Sequence, residues 1–271
     1  MMNATPLAAT AIRTLVANSA SHVAIEVVDE TGSTNADLLA RVPSAIHASP
    51  SALRGPVLRV AERQTAGRGR AGRSWLSAPG ASLTFSVAWP FRAPLHRMVG
   101  LPLAVGVALA ETVNGLGVPV QLKWPNDMLK DGAKLAGILV ETQAAPDGTI
   151  WAVIGCGMNL LMPDDMEAAI GREVSSAPWL AQMDRNALLA QLLSRLCAVL
   201  AEFDDTGFAA FTERWTALQA WRGQPVRLLD QGAVQQEGLA AGVDDQGRLL
   251  LDTPSGRVAV LSGDVSLRLA Q

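Results

Sequence analysis

Two segments of the chain place cations where a polyanion could be held. The first is Gly67-Arg68-Gly69-Arg70-Ala71-Gly72-Arg73, three glycines interleaved with three arginines. Guanidinium forks bind phosphate and carboxylate oxygens two at a time, and glycine lets a backbone close over a ligand. The second runs from Lys123-Trp124-Pro125-Asn126-Asp127 to Lys134-Leu135-Ala136-Gly137-Ile138-Leu139-Val140-Glu141. It sets Lys134 at the head of an otherwise apolar strand. An ammonium there must lie near the surface, pair with an acid or face a ligand, because an unpaired buried charge is costly. Gly137 inside that strand marks the close approach of a backbone or a ligand. A solvated turn accounts equally well for the Gly/Arg segment taken alone, and Lys130, beside the turn, reads as an exposed lysine.

Gly67, Gly69 and Gly72 also fit the G-x-G-x-x-G spacing. A dinucleotide-binding turn needs a helix directly after that spacing and an acid about twenty residues on. Here Arg73 to Gly80 lead into a strand, and no carboxylate occurs between Glu62 and Glu111, which argues against nicotinamide or flavin binding. Cys156 and Cys197 form no CxxC, and His22, His47 and His96 are scattered. No metal cluster or disulfide framework is expected, and a reducing, cytoplasmic compartment fits. With no tyrosine in the chain, no phenolic acid or base takes part.

Several elements must position these groups. Thr5-Pro6 starts a helix to about Asn18, and Val23 to Asp29 reads as a strand. Ser33 or Thr34 caps a helix over Ala36 to Val42. Strands follow at Pro56 to Gln64 and Ala81 to Trp89, flanking the Gly/Arg loop, and Pro94 to Leu116 has the length of a buried helix. Asp131-Gly132 is a two-residue hairpin turn requiring positive φ, which sets Lys130 opposite Ala133 and Leu129 opposite Lys134. Lys134 to Thr142 reads as a central strand with Ile150 to Leu160 beside it. Helices resume at Asp184 to Phe203, capped by Asp184, and at Phe208 to Leu218. After Trp221-Arg222-Gly223 come short alternating strands separated by Asp230-Gln231-Gly232, Asp244-Asp245-Gln246-Gly247 and Pro254-Ser255-Gly256, the pattern of a small β-barrel. The spacing thus divides the chain into residues 1–222 and 223–271.

Composition bounds the rest. A chain of 271 residues, 49% hydrophobic and 17% charged, is neither disordered nor too short for a substantial core. Its formal net charge of -3 argues against a protein devoted to wrapping nucleic acid. The apolar run Met98 to Ala110 is too short to span a bilayer, so no membrane partner is expected. The N-terminus lacks a charged leader, so no cleaved targeting peptide is expected. Nineteen of the 22 basic residues are arginine, and the three lysines are Lys123, Lys130 and Lys134.

Ser33-Thr34-Asn35, Gln64 to Arg73, Lys123 to Asp127, Lys134 to Glu141 and Gly155-Cys156-Gly157-Met158-Asn159 occur in an order that resembles the biotin protein ligases. The resemblance covers about residues 25–270, and the Gly/Arg and Lys-Trp-Pro-Asn-Asp motifs together make it specific. It implies an α+β fold: a mixed β-sheet flanked by helices, like the catalytic domains of class II synthetases and lipoate ligases, followed by an SH3-like barrel. It implies ATP and biotin as substrates, Mg2+ with the ATP, and the biotin carboxyl carrier protein of acetyl-CoA carboxylase as partner. By resemblance, Lys134 and Arg70 are catalytic. Ser33, Thr34, Asn35, Gln64, Arg68, Gly69, Arg70 and Lys134 bind biotin, while Arg70, Arg73, Trp75, Asn126, Asp127 and Asn159 bind ATP.

No acidic cluster specifies magnesium ligands. Some members of that family carry an N-terminal DNA-binding domain; only about 22 residues precede the first strand here, so no DNA binding is expected. Cys156 stands where the family often has alanine, which a small buried thiol can replace. A lipoate ligase or octanoyltransferase and a non-catalytic biotin sensor are the alternatives, and the oligomeric state stays open between monomer and weak homodimer.

Overall fold

The structure, a computed structural model, describes residues 5–44, 51–171, 173–230, 232–263 and 265–270. Seven strands form the larger sheet: β1 (Ala24–Thr31), β2 (Val57–Gln64), β3 (Ser82–Phe91), β4 (Gln121–Lys123), β5 (Asp127–Lys130), β6 (Ala133–Ala144) and β7 (Ile150–Asn159), in the order β1-β2-β3-β7-β6-β5-β4. β1 and β2 run parallel and every other neighbouring pair antiparallel, so the sheet is mixed.

Helices flank it: α1 (Ala9–Leu15), α2 (Thr34–Leu39), α3 (Leu101–Gly115), α4 (Asp164–Ile170), α5 (Pro178–Ala181), α6 (Arg185–Thr206) and α7 (Thr212–Leu218). α3 packs on β4, β5 and β6 and against α6. Gly106 lets α3 approach the sheet closely, since a Cβ there would lie 3.3 Å from Leu122 Cδ2. On the opposite face, α2 covers only part of the sheet, burying Leu38 with Ala88 and Val153. The uncovered remainder of that face is the floor of the cleft described below.

The smaller sheet contains β8 (Pro225–Asp230), β9 (Ala233–Val243), β10 (Leu249–Thr253), β11 (Gly256–Val260) and β12 (Val265–Leu269), all antiparallel, in the order β11-β10-β9-β8-β12. It is SH3-like; its two end strands are not paired with each other among the described residues. Gln231, in the expected Asp230-Gln231-Gly232 turn, lies outside the described residues. Trp124 ties the two sheets together: its fully buried indole donates to Gly247 O at 3.1 Å.

The expected helices change in detail. The N-terminal helix stops at Leu15 because Val16 turns extended and the Ala17 N–H goes to Ser194 Oγ on α6, at 2.9 Å. The single helix expected from Pro94 is a 3-10 segment, Leu95–Gly100, followed by α3. Pro102 has no N–H to donate and is tolerated only in a helix's first turn, so α3 begins there. By length and composition, Leu95–Gly115 and Arg185–Thr206 could each cross a membrane, although the apolar run within the first is short; both are mostly buried against the rest of the protein.

Candidate active site

The cleft begins as missing side chains. Thr84 and Ser86 of β3 stand opposite Gly157 and Gly155 of β7, and Gly157 stands opposite Gly137 of β6. Side chains alternate across a strand, so these small residues share one face and leave a depression. Neighbours fill its edges closely. A Cβ on Gly155 would come within 2.4 Å of Asn35 Oδ1, and one on Gly157 within 2.2 Å of Trp75 Cε2.

One wall is built from the start of α2. Ser33 caps that helix, its Oγ accepting from the Ala36 N–H at 3.4 Å. Thr34 and Asn35 follow, both buried. Thr34 donates its backbone N–H to Gln64 Oε1 at 2.8 Å, and its hydroxyl lies 2.7 Å from Ser86 Oγ. Ser86 Oγ donates to Asn35 Oδ1 at 2.6 Å, and Asn35 Nδ2 donates to Glu141 Oε2 at 2.9 Å. Buried polar groups are thereby paired, as their desolvation demands.

The Gly/Arg loop is a narrow ribbon. Trp75 N–H donates to Gly67 O at 2.9 Å and Gly69 N–H to Arg73 O at 2.7 Å. The tip turns through Ala71 and Gly72, with φ of 54° and 69°. Gly67 is needed for closure, because a Cβ there would lie 2.4 Å from Trp75 O. Arg70 points inward, donating to Asn126 Oδ1 at 3.2 Å and to Gly263 O of the smaller sheet. Arg68 and Arg73 are exposed. The Trp75 indole N–H is buried with no partner within the protein.

Facing this ribbon is the hairpin of β5 and β6. Asp131 and Gly132 have φ of 52° and 81°, and the pairs Lys130 with Ala133 and Leu129 with Lys134 form as the turn chemistry requires. Lys130 pairs with Asp131 at the turn. Lys134 Nζ bonds Asp127 Oδ1 and lies 5.9 Å from the Trp75 ring centre. Lys123 Nζ sits 3.2 Å from Asp127 Oδ2 and 5.6 Å from the Trp221 ring centre. Burial alone would raise the Asp127 carboxyl, but the ammoniums of Lys134 and Lys123 outweigh it and hold it below the usual carboxylate range. Burial pushes the Lys123 ammonium below the usual lysine range; Asp127 opposes that shift, and the guanidinium of Arg268 adds to it. Burial likewise pushes the Cys156 thiol up to about 12.

Three adjoining compartments result. The first is lined by Thr34, Asn35, Gln64, Ser86, Gly155 and Cys156, with Arg68 at its edge. The second is lined by Lys123, Asp127, Arg73 and Arg268. Gly69, Arg70, Trp75, Asn126 and Lys134 border both. The third holds Asn159 with Arg73, Trp75, Lys134 and Ile170. Of the sequence-derived candidates, Ser33 alone lies outside these linings among the described residues, serving as the helix cap.

Sequence reasoning missed Ser86, Arg268 and α4, which supplies Ile170. Ser86 had a signal: Ser82, Thr84 and Ser86 alternate with Leu83, Phe85 and Val87 in a buried strand. Arg268 had none, because its strand reaches the cleft only through the packing of the smaller sheet.

Residues 41–159 match the Biotin/lipoate A/B protein ligase family, and residues 223–268 match the Biotin protein ligase C terminal domain. The biotin--[acetyl-CoA-carboxylase] ligase of Mycobacterium tuberculosis is 38% identical over 247 residues, covering 89% of this chain and 88% of that protein. The bifunctional ligase/repressor BirA of Escherichia coli is 36% identical over 219 residues, 78% of this chain; the match spans 66% of the longer relative. A solved biotin protein ligase from Aquifex aeolicus, in complex with biotin and ATP, superimposes with a TM-score of 0.72 at 27% identity, over 91% of this chain and 99% of that one.

Proposed function

We propose that this chain, which belongs to the biotin protein ligase family, is an ATP-dependent ligase that makes biotinyl-5'-adenylate and then transfers biotin to a lysine of a carrier protein. The observation that carries this reading is the sharing of Arg70 and Lys134 between a compartment walled by the neutral polar side chains of Thr34, Asn35, Gln64 and Ser86 and one lined by Lys123, Arg73 and Arg268. Such a junction brings a carboxylate up to a phosphate and supplies positive charge where the two anions repel most.

In the first step an oxygen of the biotin carboxylate attacks the α-phosphorus of ATP. The bond to the bridging oxygen breaks and pyrophosphate leaves. Lys134 and Arg70 neutralise charge on the oxygens that come together. Thr34, Asn35 and Gln64 offer donors and acceptors to a ureido ring, with Arg68 and Gly69 closing over it and Ser33 holding the helix that presents Thr34 and Asn35. Arg73, Trp75, Asn126, Asp127 and Asn159 form the nucleotide side, where the unpartnered Trp75 indole has a free donor. In the second step the amine of the carrier lysine attacks the biotinyl carbonyl, forms the amide and expels AMP.

A protein-built magnesium site does not fit these residues. Among the described residues no group of three His, Cys, Asp or Glu could hold a metal ion, and Asp127, the carboxylate lining the cleft, is bound by two lysines. Magnesium belongs to the nucleotide's phosphates. We assign residues 1–222 to the catalytic domain and 223–271 to the C-terminal unit, the carrier to acetyl-CoA carboxylase, and the protein to the cytoplasm, which suits its two free, buried cysteines.

The test is to incubate the chain with biotin, ATP, magnesium and a biotin carboxyl carrier domain, and to look for biotinyl addition to the carrier lysine by mass spectrometry. Transfer of lipoyl or octanoyl groups with none of biotin, or biotin binding without turnover, would overturn the proposal.

A further inference from the structure

We propose that Glu141 is a positioning residue that fixes which groups of the biotin pocket donate and which accept, without touching the ligand. The proposal rests on the biotin reading above. Glu141 is not among the residues lining the first compartment, whereas Thr34, Asn35, Gln64 and Ser86 all are. It stands behind them on β6, on the same sheet face as Gly137 and Leu139.

Hydrogen-bond polarity sets the direction of the network. A carboxylate can only accept, so Glu141 Oε2, 2.9 Å from Asn35 Nδ2, compels the Asn35 amide to turn its NH2 group outward and its oxygen inward. That oxygen takes the proton of Ser86 Oγ at 2.6 Å. With its own proton committed, Ser86 Oγ can only accept from Thr34 Oγ1, 2.7 Å away; this shorter contact takes the one hydroxyl proton in preference to Gln64 Oε1, which lies 3.1 Å from Thr34 Oγ1. The Gln64 amide is set at the far end, its Oε1 taken by the Thr34 N–H at 2.8 Å, so its Nε2 remains to donate. The wall then offers lone pairs on Thr34 and Asn35 and a donor on Gln64, the complement of a urea with two N–H groups and one carbonyl.

Asn35 and Gln64 are amides, which could serve in either orientation, and Ser86 and Thr34 are hydroxyls, which rotate. Two members of the network cannot reverse: the Thr34 backbone N–H, which fixes Gln64 on its own, and Glu141, which fixes Asn35, Ser86 and the Thr34 hydroxyl. Replacing Glu141 by glutamine provides an NH2 that can donate to Asn35 Oδ1, freeing the amide to flip and the hydroxyl protons to run the other way. Gly155 makes the arrangement possible, since any Cβ there would displace Asn35.

Steady-state kinetics of Glu141→Gln in the full chain tests this. The KM for biotin is expected to rise about tenfold, the ratio that follows from one charge-assisted hydrogen bond, while kcat and the KM for ATP stay within about twofold, as a uniform-binding loss requires. In an Asn35→Ala background the same substitution should add nothing, because Glu141 acts through Asn35. An unchanged KM for biotin, effects that multiply independently, or an equal loss in both KM values and kcat would overturn the proposal. If Glu141→Gln does not fold, Ser86→Ala must give the same selective rise in the biotin KM or the relay is wrong. A wild-type chain without biotinyl transfer would instead overturn the functional reading, and this proposal with it.

Discussion

Lys134 and Asp127 face each other across the β5–β6 hairpin as an ion pair, Nζ on Oδ1, while the other oxygen of the same carboxylate holds Lys123 at 3.2 Å. Asp127 therefore shares one negative charge between two ammoniums. Lys134 borders all three compartments, so its ammonium can turn from Asp127 to an incoming oxygen with only a rotamer change. A guanidinium is broader and planar and prefers to stay on a carboxylate bidentately. Lys134→Arg is expected to lower adenylate formation, read as pyrophosphate release, by at least about tenfold. Lys130→Arg, at a turn outside the cleft, should be nearly silent. Near-normal activity of Lys134→Arg would mean that the scarcity of lysine in this chain has no chemical content.

Asp127→Asn tests the other half of the pair. Removing the carboxylate leaves two enclosed ammoniums facing each other, at a cost to stability of about 2 kcal/mol. The pH dependence has a definite sign. The folded-state carboxyl of Asp127 lies below its unfolded value, so its stabilisation is fully present above the unfolded value, about pH 4, and is lost as pH falls through the depressed folded value. The stability gap between wild type and Asp127→Asn, from urea titrations, should hold constant through neutral pH and close only in acid. A gap that opens as pH falls would contradict the pairing.

Arg268 brings the smaller sheet into the chemistry. It lies beside Lys123 in the cationic compartment, close enough to lower that lysine's affinity for a proton. Its side of the cleft faces the polyphosphate in the proposed reaction. Arg268→Ala should raise the KM for ATP about five- to tenfold, the loss of one exposed charge contact, and leave the KM for biotin unchanged. The effect should shrink at high salt. Equal changes in both KM values would assign Arg268 a structural role instead.

Legibility in the sequence followed the range of the interactions. The turn at Asp131-Gly132 was readable with its register, because positive φ at two successive residues is a local demand. The individual strands and the small β unit after Gly223 were visible in alternation and spacing, whereas the mixed sheet was implied by the family resemblance. The roles of Arg68, Arg70 and Lys134 came from motif resemblance, and the structure adds that the last two border the same junction. What the sequence hid depends on contacts far apart along the chain: the path from Glu141 to Asn35 joins β6 to α2, and Arg268 reaches Lys123 from the last strand. The change from the 3-10 segment to α3 after Gly100 was partly legible, since Pro102 marks a helix start, but Phe208, which packs against Gly100, could not be named from sequence.

Gly157 is the remaining test of the cleft floor. It sits between Thr84 and Gly137 in register, and an added Cβ would fall 2.2 Å from Trp75 Cε2 and 2.6 Å from its Nε1. The backbone N–H of Trp75 donates to Gly67 O and anchors its main chain to the ribbon, so the rigid indole makes room either by leaving its rotamer or by shifting the loop that carries Arg70. Gly157→Ala should therefore raise the KM for both biotin and ATP about tenfold or more, as misplacing positioning groups does. If the ring is held in place instead, overpacking should destabilise the fold by about 1–3 kcal/mol. Gly115→Ala, at the end of α3 with open space around its Cβ position, is the matched control and should leave activity unchanged. Wild-type kinetics and stability in Gly157→Ala would show that Trp75 does not rest on the glycine floor.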